Sequence, residues 1–219
     1  MRMNPVLKRI VVALSVAAMV VLAVVYAPLC VIAPAVVVLI ALAFGEYLLL
    51  LNRKFGVWTK APVWAGFGLL ALSGLLALPY VAWRHGNWAL LYVIAIVKVS
   101  DMGGFALGLS SARLMKGGNH KLCPSVSPGK SWEGLFGSVL AACVVSCLFV
   151  PVTRFAWGKA LAFGVAAALL GTAGDLVESK FKRWVGVKDS AAFMPAGLGG
   201  LLDMLDSLLF APALLLPFL

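Results

Sequence analysis

The chain has 219 residues, 63% of them hydrophobic, with a mean hydropathy of +1.05 and a formal net charge of +10. Soluble domains hold apolar residues to about half of the chain, so this composition excludes a water-soluble globule and describes a polytopic membrane protein. The basic balance does not point to nucleic acid, because in a chain this apolar Lys and Arg mark cytoplasmic loops.

No charge appears between Ile10 and Gly45, a stretch too long for one crossing, and Pro28 and Pro34 divide it into spans at 10–27 and 32–51. A cleaved signal peptide is the rival reading of the first, with Arg2, Lys8 and Arg9 as its basic region and Val25-Tyr26-Ala27 as its cleavage site. The apolar run exceeds the about 7 to 15 residues of such peptides, so a retained helix is expected. Further spans at 62–80, 87–109, 133–152, 158–178 and 198–219 are each bounded by Pro, Gly or a charge cluster. The predicted fold is therefore all-α, a polytopic transmembrane bundle of about seven spans in a single integral membrane domain, residues 1–219.

With the N-terminus inside, Arg2, Lys8, Arg9, Arg53, Lys54, Lys60, Arg113, Lys116, Lys121, Lys130, Lys180, Lys182, Arg183 and Lys188 fall in the cytoplasm. Only Arg84, Arg154 and Lys159 fall outside, and Lys98 lies within a span. This bias fixes the predicted orientation, with the C-terminus outside.

The chain has eight carboxylates, and seven of them lie between Asp101 and Asp206. An Asp at a helix centre costs about 2.5 to 3.5 kcal/mol on insertion scales, so such groups face the bundle interior with partners. Asp101, Asp175, Asp203 and Asp206 share one depth near the inner ends of spans four, six and seven, and Asp203 and Asp206 lie three residues apart on one helix face. Several carboxylates at one depth point to a cation. Glu46 is expected to reach towards the interface from the end of span two. Gly104 and Gly108 read as packing residues, whereas Gly197-Leu198-Gly199-Gly200 reads as a turn where backbone meets ligand. Cys30, Cys123, Cys143 and Cys147 read as packing residues, and with only His85 and His120 besides them no zinc site is expected.

Two segments carry candidate chemistry. Ser127-Pro128-Gly129-Lys130-Ser131-Trp132-Glu133-Gly134 reads as a cytoplasmic loop, with Ser131 as the cap of span five, Trp132 as an interfacial anchor, and Ser127 and Lys130 able to hold phosphates. Gly174-Asp175-Leu176-Val177-Glu178-Ser179-Lys180-Phe181-Lys182-Arg183, followed by Lys188-Asp189, sets carboxylates against cations. Carboxylates hold a hard cation and Lys or Arg neutralises phosphate oxygens, the pair of demands that phosphate chemistry makes. A basic loop attracted to anionic lipid accounts for the cations alone.

The order of these pieces resembles the phosphatidate cytidylyltransferase (CDP-diacylglycerol synthase) family. Its Ser-x-x-Lys-Arg, four residues, Lys-Asp pattern reads here as Ser179 to Arg183 and Lys188-Asp189; its Pro-Gly-His-Gly-Gly turn and Asp-Arg-x-Asp read as Pro195-Ala196-Gly197-Leu198-Gly199-Gly200 and Asp203-Met204-Leu205-Asp206. Asp101-Met102-Gly103-Gly104 and His120-Lys121-Leu122 continue the match upstream. The likeness covers residues 98–210 and leaves 1–97 as scaffold spans; Leu198 and Met204 replace the family's usual histidine and arginine.

The resemblance implies transfer of the cytidylyl group of CTP to phosphatidate, giving CDP-diacylglycerol and pyrophosphate, with Mg²⁺ as cofactor in one or two ions. It implies Asp175, Asp203 and Asp206 as metal ligands, and Lys182, Arg183 and Lys188 as grips on phosphates. Ser127, Lys130, Ser131, Glu133, Ser179, Asp189, Gly199 and Gly200 would line the substrate site. Asp189 either orients Lys188 or caps a turn, and Asp101 either joins the acidic cluster or pairs with Lys98. The expected setting is the inner membrane, with membrane lipids around the chain, a site open to the cytoplasm, and a homodimer. The alternatives are a CTP-dependent polyprenol or phytol kinase and an ion-coupled transporter, the latter opposed by the lack of an internal repeat.

Overall fold

The computed structural model describes residues 18–52, 61–116, 118–187, 200 and 205–219. In an uncharged apolar run the backbone can satisfy its polar groups only internally, so such runs become helices. A helical stretch over residues 18–26 ends before Pro28, and α1 (Leu29–Asn52), α2 (Ala61–His85) and α3 (Asn87–Leu114) follow. Strands β1 (Lys121–Cys123) and β2 (Ser127–Ser131) form an antiparallel hairpin that leads into α4 (Trp132–Leu148). A single turn, α5 (Val150–Thr153), reverses the chain into α6 (Trp157–Val185). The C-terminal segment is a series of short pieces: a 3-10 turn at Asp206–Leu208, α7 (Ala211–Leu215) and a second 3-10 turn at Leu216–Phe218.

Among the described residues, α1, α3 and α6 are long and apolar enough to cross a membrane, and α4 is a shorter apolar helix. The protein is a helical membrane protein.

Several predicted boundaries move, α2 and α3 each running five residues past their expected ends to His85 and Leu114, and three changes alter the reading of the chain. The segment before α4, expected as a loop, contains the hairpin; its strands are short and polar, include Pro128 and Gly129, and so lack the alternating apolar signal of a strand. Span six was expected to stop at 178 but runs seven residues further, and it ends at Gly186, whose φ of +89° lets its N–H reach the carbonyls of Lys182 and Arg183. The segment from Leu205 onward is not one continuous helix, because Pro212 and Pro217 deny donors to any longer ladder.

Helices α3 and α4 pack along a seam of small residues. A Cβ on Gly137 would lie 2.6 Å from the Gly103 carbonyl oxygen, and one on Gly104 would lie 2.2 Å from Ser138 Oγ, so the two backbones are as close as they can come. The expected packing role of Gly104 and Gly108 matches this seam, where Gly108 faces Gly134. A buried polar chain joins the same helices to α6: the Tyr92 hydroxyl bonds Ser146 Oγ at 2.7 Å, and Ser146 donates to the Ala160 carbonyl at 2.6 Å. Phe149 and Phe163 pack on Tyr92 and close the apolar shell around that chain. Glu46, expected to reach outwards, is fully buried. Its neighbour Tyr47 packs its ring, tilted by 30°, on Phe181 of α6 with centroids 5.0 Å apart, which holds this turn of α1 against the bundle.

The C-terminal segment is pinned by contact rather than by its own ladder. On α2, a Cβ at Gly74 would lie 1.8 Å from the Leu209 carbonyl oxygen, whereas one at Gly66 would meet nothing within 4 Å. Gly74→Ala is therefore expected to destabilise the protein by about 1 to 3 kcal/mol, the usual cost of overpacking. Gly66→Ala on the same helix should be neutral or slightly stabilising; thermal unfolding in detergent compares the two.

Candidate functional site

The extension of α6 decides the site, because it puts Asp175, Glu178, Ser179 and Lys182 on one helical face at i, i+3, i+4 and i+7. Ser179 Oγ donates to Asp175 Oδ1 at 3.5 Å, and Lys182 Nζ lies 3.3 Å from Glu178 Oε1. Glu178 is fully buried. Asp206, at the first 3-10 turn of the C-terminal segment, faces this stripe and accepts the Ser207 N–H at 2.6 Å. One carboxylate oxygen from each of Asp175, Glu178 and Asp206 lies within 4.8 Å of the other two. Three hard oxygen donors gathered in this way fit a hard cation.

Carboxylates held in such surroundings need counter-charges, and two further lysines supply them. Lys98 of α3 donates to Ser207 Oγ at 2.9 Å and stands 3.9 Å from Asp206 and 4.0 Å from Asp101. Asp101 pairs with Lys98 and lines the same cavity as Asp175 and Asp206. Lys130, on β2, forms an ion pair with Asp175 Oδ2 and donates to the Thr172 carbonyl at 3.4 Å.

A cavity of about 560 Å³ opens onto this cluster between α3, α4, α6 and the hairpin. Asp101, Lys130, Asp175 and Asp206 form its charged end, and Phe105, Leu109 and Leu135 contribute apolar wall. Ser127 and Ser131 also line it. Ser131 has a second task, since its Oγ accepts the Gly134 N–H at 3.1 Å and caps α4 as expected. Trp132 is exposed at that helix start.

Glu133, expected on the substrate side, binds His120: Oε1 meets His120 Nδ1 at 2.6 Å, and the His120 backbone N–H reaches the same carboxylate at 3.2 Å. That contact, with the Asn119 Nδ2 bond to the Gly108 carbonyl at 2.9 Å, ties the root of the hairpin to the ends of α3 and α4. Arg183 is exposed and donates to the Val187 carbonyl at 3.4 Å, at the end of α6. Gly200 is buried. Lys188, Asp189, Gly199 and Asp203 lie outside the described residues, as do Leu198 and Met204. Of the expected trio, Asp175 and Asp206 stand together with Glu178 beside them, and Asp203 lies outside the described residues. The signal for Glu178 in the sequence is its three-residue spacing from Asp175, which places both on one face once α6 continues past residue 178.

A membrane bundle with an acidic cluster, lysine counter-charges and an adjoining cavity defines a class of protein able to bind a cation and phosphates together. Residues 62–219 match the model of the cytidylyltransferase family, and the chain belongs to that family. A phosphatidate cytidylyltransferase of Haemophilus influenzae is 38% identical over 170 residues, covering 73% of this chain and 54% of that protein. One from Staphylococcus epidermidis is 41% identical over 139 residues, covering 62% and 50%. The uncharacterized protein YnbB of Escherichia coli is 37% identical over 145 residues, covering 66% and 46%. The chain spans about half the length of the curated relatives it matches.

Replacing Lys98 with Met removes the ammonium between Asp101 and Asp206 and the bond to Ser207. The C-terminal segment should loosen by about 1 to 3 kcal/mol, the scale of a charge-assisted hydrogen bond lost with its partners left behind. Faster amide exchange over residues 205–219 would register this, and Lys98→Arg should restore much of the protection.

Proposed function

We propose that the protein transfers the cytidylyl group of CTP to phosphatidate, yielding CDP-diacylglycerol and pyrophosphate. The observation that carries this reading is the meeting of Asp175, Glu178 and Asp206 with Lys130 at the charged end of a cavity that also has apolar wall, in a chain of the cytidylyltransferase family. The printed names of the Haemophilus and Staphylococcus relatives support the choice of substrates.

In the proposed reaction a phosphate oxygen of phosphatidate forms a bond to the α-phosphorus of CTP as the bond from that phosphorus to the bridging oxygen of pyrophosphate breaks. The attacking oxygen belongs to a phosphate already largely ionised near neutral pH, so no side chain is required as a strong base. The main obstacle is the meeting of two anions, and charge neutralisation with positioning answers it.

Asp175, Glu178 and Asp206, with Asp203, would hold Mg²⁺, which when bound neutralises phosphate charge and orients the reacting groups. Lys130, Lys182, Arg183 and Lys188 would grip phosphate oxygens that the metal does not reach. Ser127, Ser131 and Ser179 would donate hydrogen bonds, Gly199 and Gly200 would admit the ligand close to backbone, and Asp189 would orient Lys188. Glu133 serves the site through the hairpin root, given its bonds to His120.

The membrane arrangement that goes with this reading is a single multi-pass domain of about seven spans in the inner membrane, with the N-terminus inside. Fourteen of the eighteen Lys and Arg residues lie on the inner side in that threading. The site then opens to the cytoplasm, where CTP is dissolved and phosphatidate offers its headgroup. Residues 98–210 carry the chemistry and 1–97 the supporting spans.

The test is where label from CTP goes in proteoliposomes containing phosphatidate. Label in the α-phosphate should enter lipid and label in the γ-phosphate should leave as pyrophosphate; γ-label in lipid would show a kinase instead. Asp206→Asn should lower turnover by at least about a hundredfold, in line with losing a charged group that acts in the transition state. Unchanged turnover in that variant, with insertion intact, would remove the metal assignment.

A further inference from the structure

Both oxygens of Asp175 are engaged in this structure. Oδ1 accepts from Ser179 at 3.5 Å, and Oδ2 is paired with the Lys130 ammonium. Asp175 is also one of the three carboxylates whose oxygens gather within 4.8 Å, so the ammonium stands on a group that a divalent cation would need. A cation at that cluster and an ammonium on Asp175 repel each other, and the carboxylate cannot serve both at full strength.

The two partners of this ion pair sit on different kinds of support. Asp175 is fixed on α6, a helix of 29 residues whose neighbours Gly171 and Gly174 are buried in the bundle. Lys130 sits on β2, in a two-stranded hairpin with an irregular register between Lys121 and Cys123. Apart from Asp175, among the described residues the Lys130 ammonium holds a long bond to the Thr172 carbonyl, at 3.4 Å. A four-carbon stem with three rotatable donors can turn within the cavity that both residues line.

We propose that Lys130 is an exchangeable counter-ion: it neutralises Asp175 while the cluster holds no metal, yields that carboxylate when a divalent cation binds, and turns its ammonium to a phosphate of the incoming nucleotide. This rests on the nucleotidyl-transfer reading and adds an order of events to it. The acidic cluster stays neutralised at both stages, first by a side chain and then by metal, and the freed ammonium becomes available at the moment phosphates arrive. Lys98 is not part of the exchange, since Ser207, Asp101 and Asp206 hold it together.

Binding of Mn²⁺ to the full chain in detergent, without nucleotide or lipid, tests the exchange through the paramagnetic resonance signal of free Mn²⁺. Removing the competitor should tighten binding, so Lys130→Met and Lys130→Gln should each bind Mn²⁺ about tenfold more tightly than the unaltered chain, the scale of one charge-assisted hydrogen bond. Lys130→Arg, which keeps the ion pair, should bind like the unaltered chain. The same Met and Gln variants should bind the Mn²⁺–CTP complex with less gain, or more weakly, because the phosphate contact is lost. In Asp175→Asn the further change of Lys130 to Met should bring no tightening.

Equal or weaker Mn²⁺ binding in both Lys130→Met and Lys130→Gln, with thermal unfolding unchanged, overturns the exchange, and so does a lack of Mn²⁺ binding in every form. Turnover of α-labelled CTP by the unaltered preparation separates this from the parent reading. Turnover with no tightening rejects the exchange alone. Tightening without turnover rejects nucleotidyl transfer and leaves the exchange as a property of a cation site.

Discussion

The architecture turns on the cost of holding carboxylates within an apolar bundle. Asp101, Asp175, Glu178 and Asp206 converge from α3, α6 and the C-terminal segment, and each has an ammonium within 4.0 Å: Lys98 for Asp101 and Asp206, Lys130 for Asp175, Lys182 for Glu178. Breaking a pair of this kind leaves a charge poorly solvated, so the pairs constrain where the helices can go. Pairing also couples elements that share little else. The hairpin is tied to α6 through Lys130, and the short C-terminal pieces are tied to α3 through Lys98.

The remaining packing brings those charges to one place. The glycine seam sets α3 against α4 at the shortest possible distance, which carries Asp101 on one helix and the hairpin that precedes the other to the same cavity. The chain of Tyr92, Ser146 and the Ala160 carbonyl joins both helices to α6 through neutral groups, so part of the frame is held independently of the ion pairs.

How much of this was legible in the sequence depends on the scale of the signal. Long uncharged runs gave the helices, because a hydrophobic stretch of span length has few other fates. Asp175 and Asp206 were legible as partners because rare charges in such runs must share an interior, and Ser131 as a cap because its hydroxyl precedes an apolar run. The hairpin escaped notice since Lys121–Cys123 and Ser127–Ser131 hold no alternating apolar pattern. Glu178 is hard to see in the sequence because a helix need not end where its apolar span does: α6 continues to Val185 with a polar last turn. The distance of Glu46 from its helix end suggests an outward reach but carries no information about which way its face turns; the bundle packs around it. Glu133 shows a different limit: its bond to His120, thirteen residues away, depends on a chain reversal that spacing alone does not reveal.

The seam between α3 and α4 has a consequence for variation within this scaffold. Where two main chains touch at Gly103 and Gly137, no larger side chain fits on either strand of the contact without displacing its opposite number. Change in the cavity wall is thereby channelled away from the helical joint and into the ribbon beside it, whose second strand has open space next to Gly129. Tailoring such a protein to a bulkier or leaner ligand is then a matter of redrawing that ribbon, with the joint left as inherited.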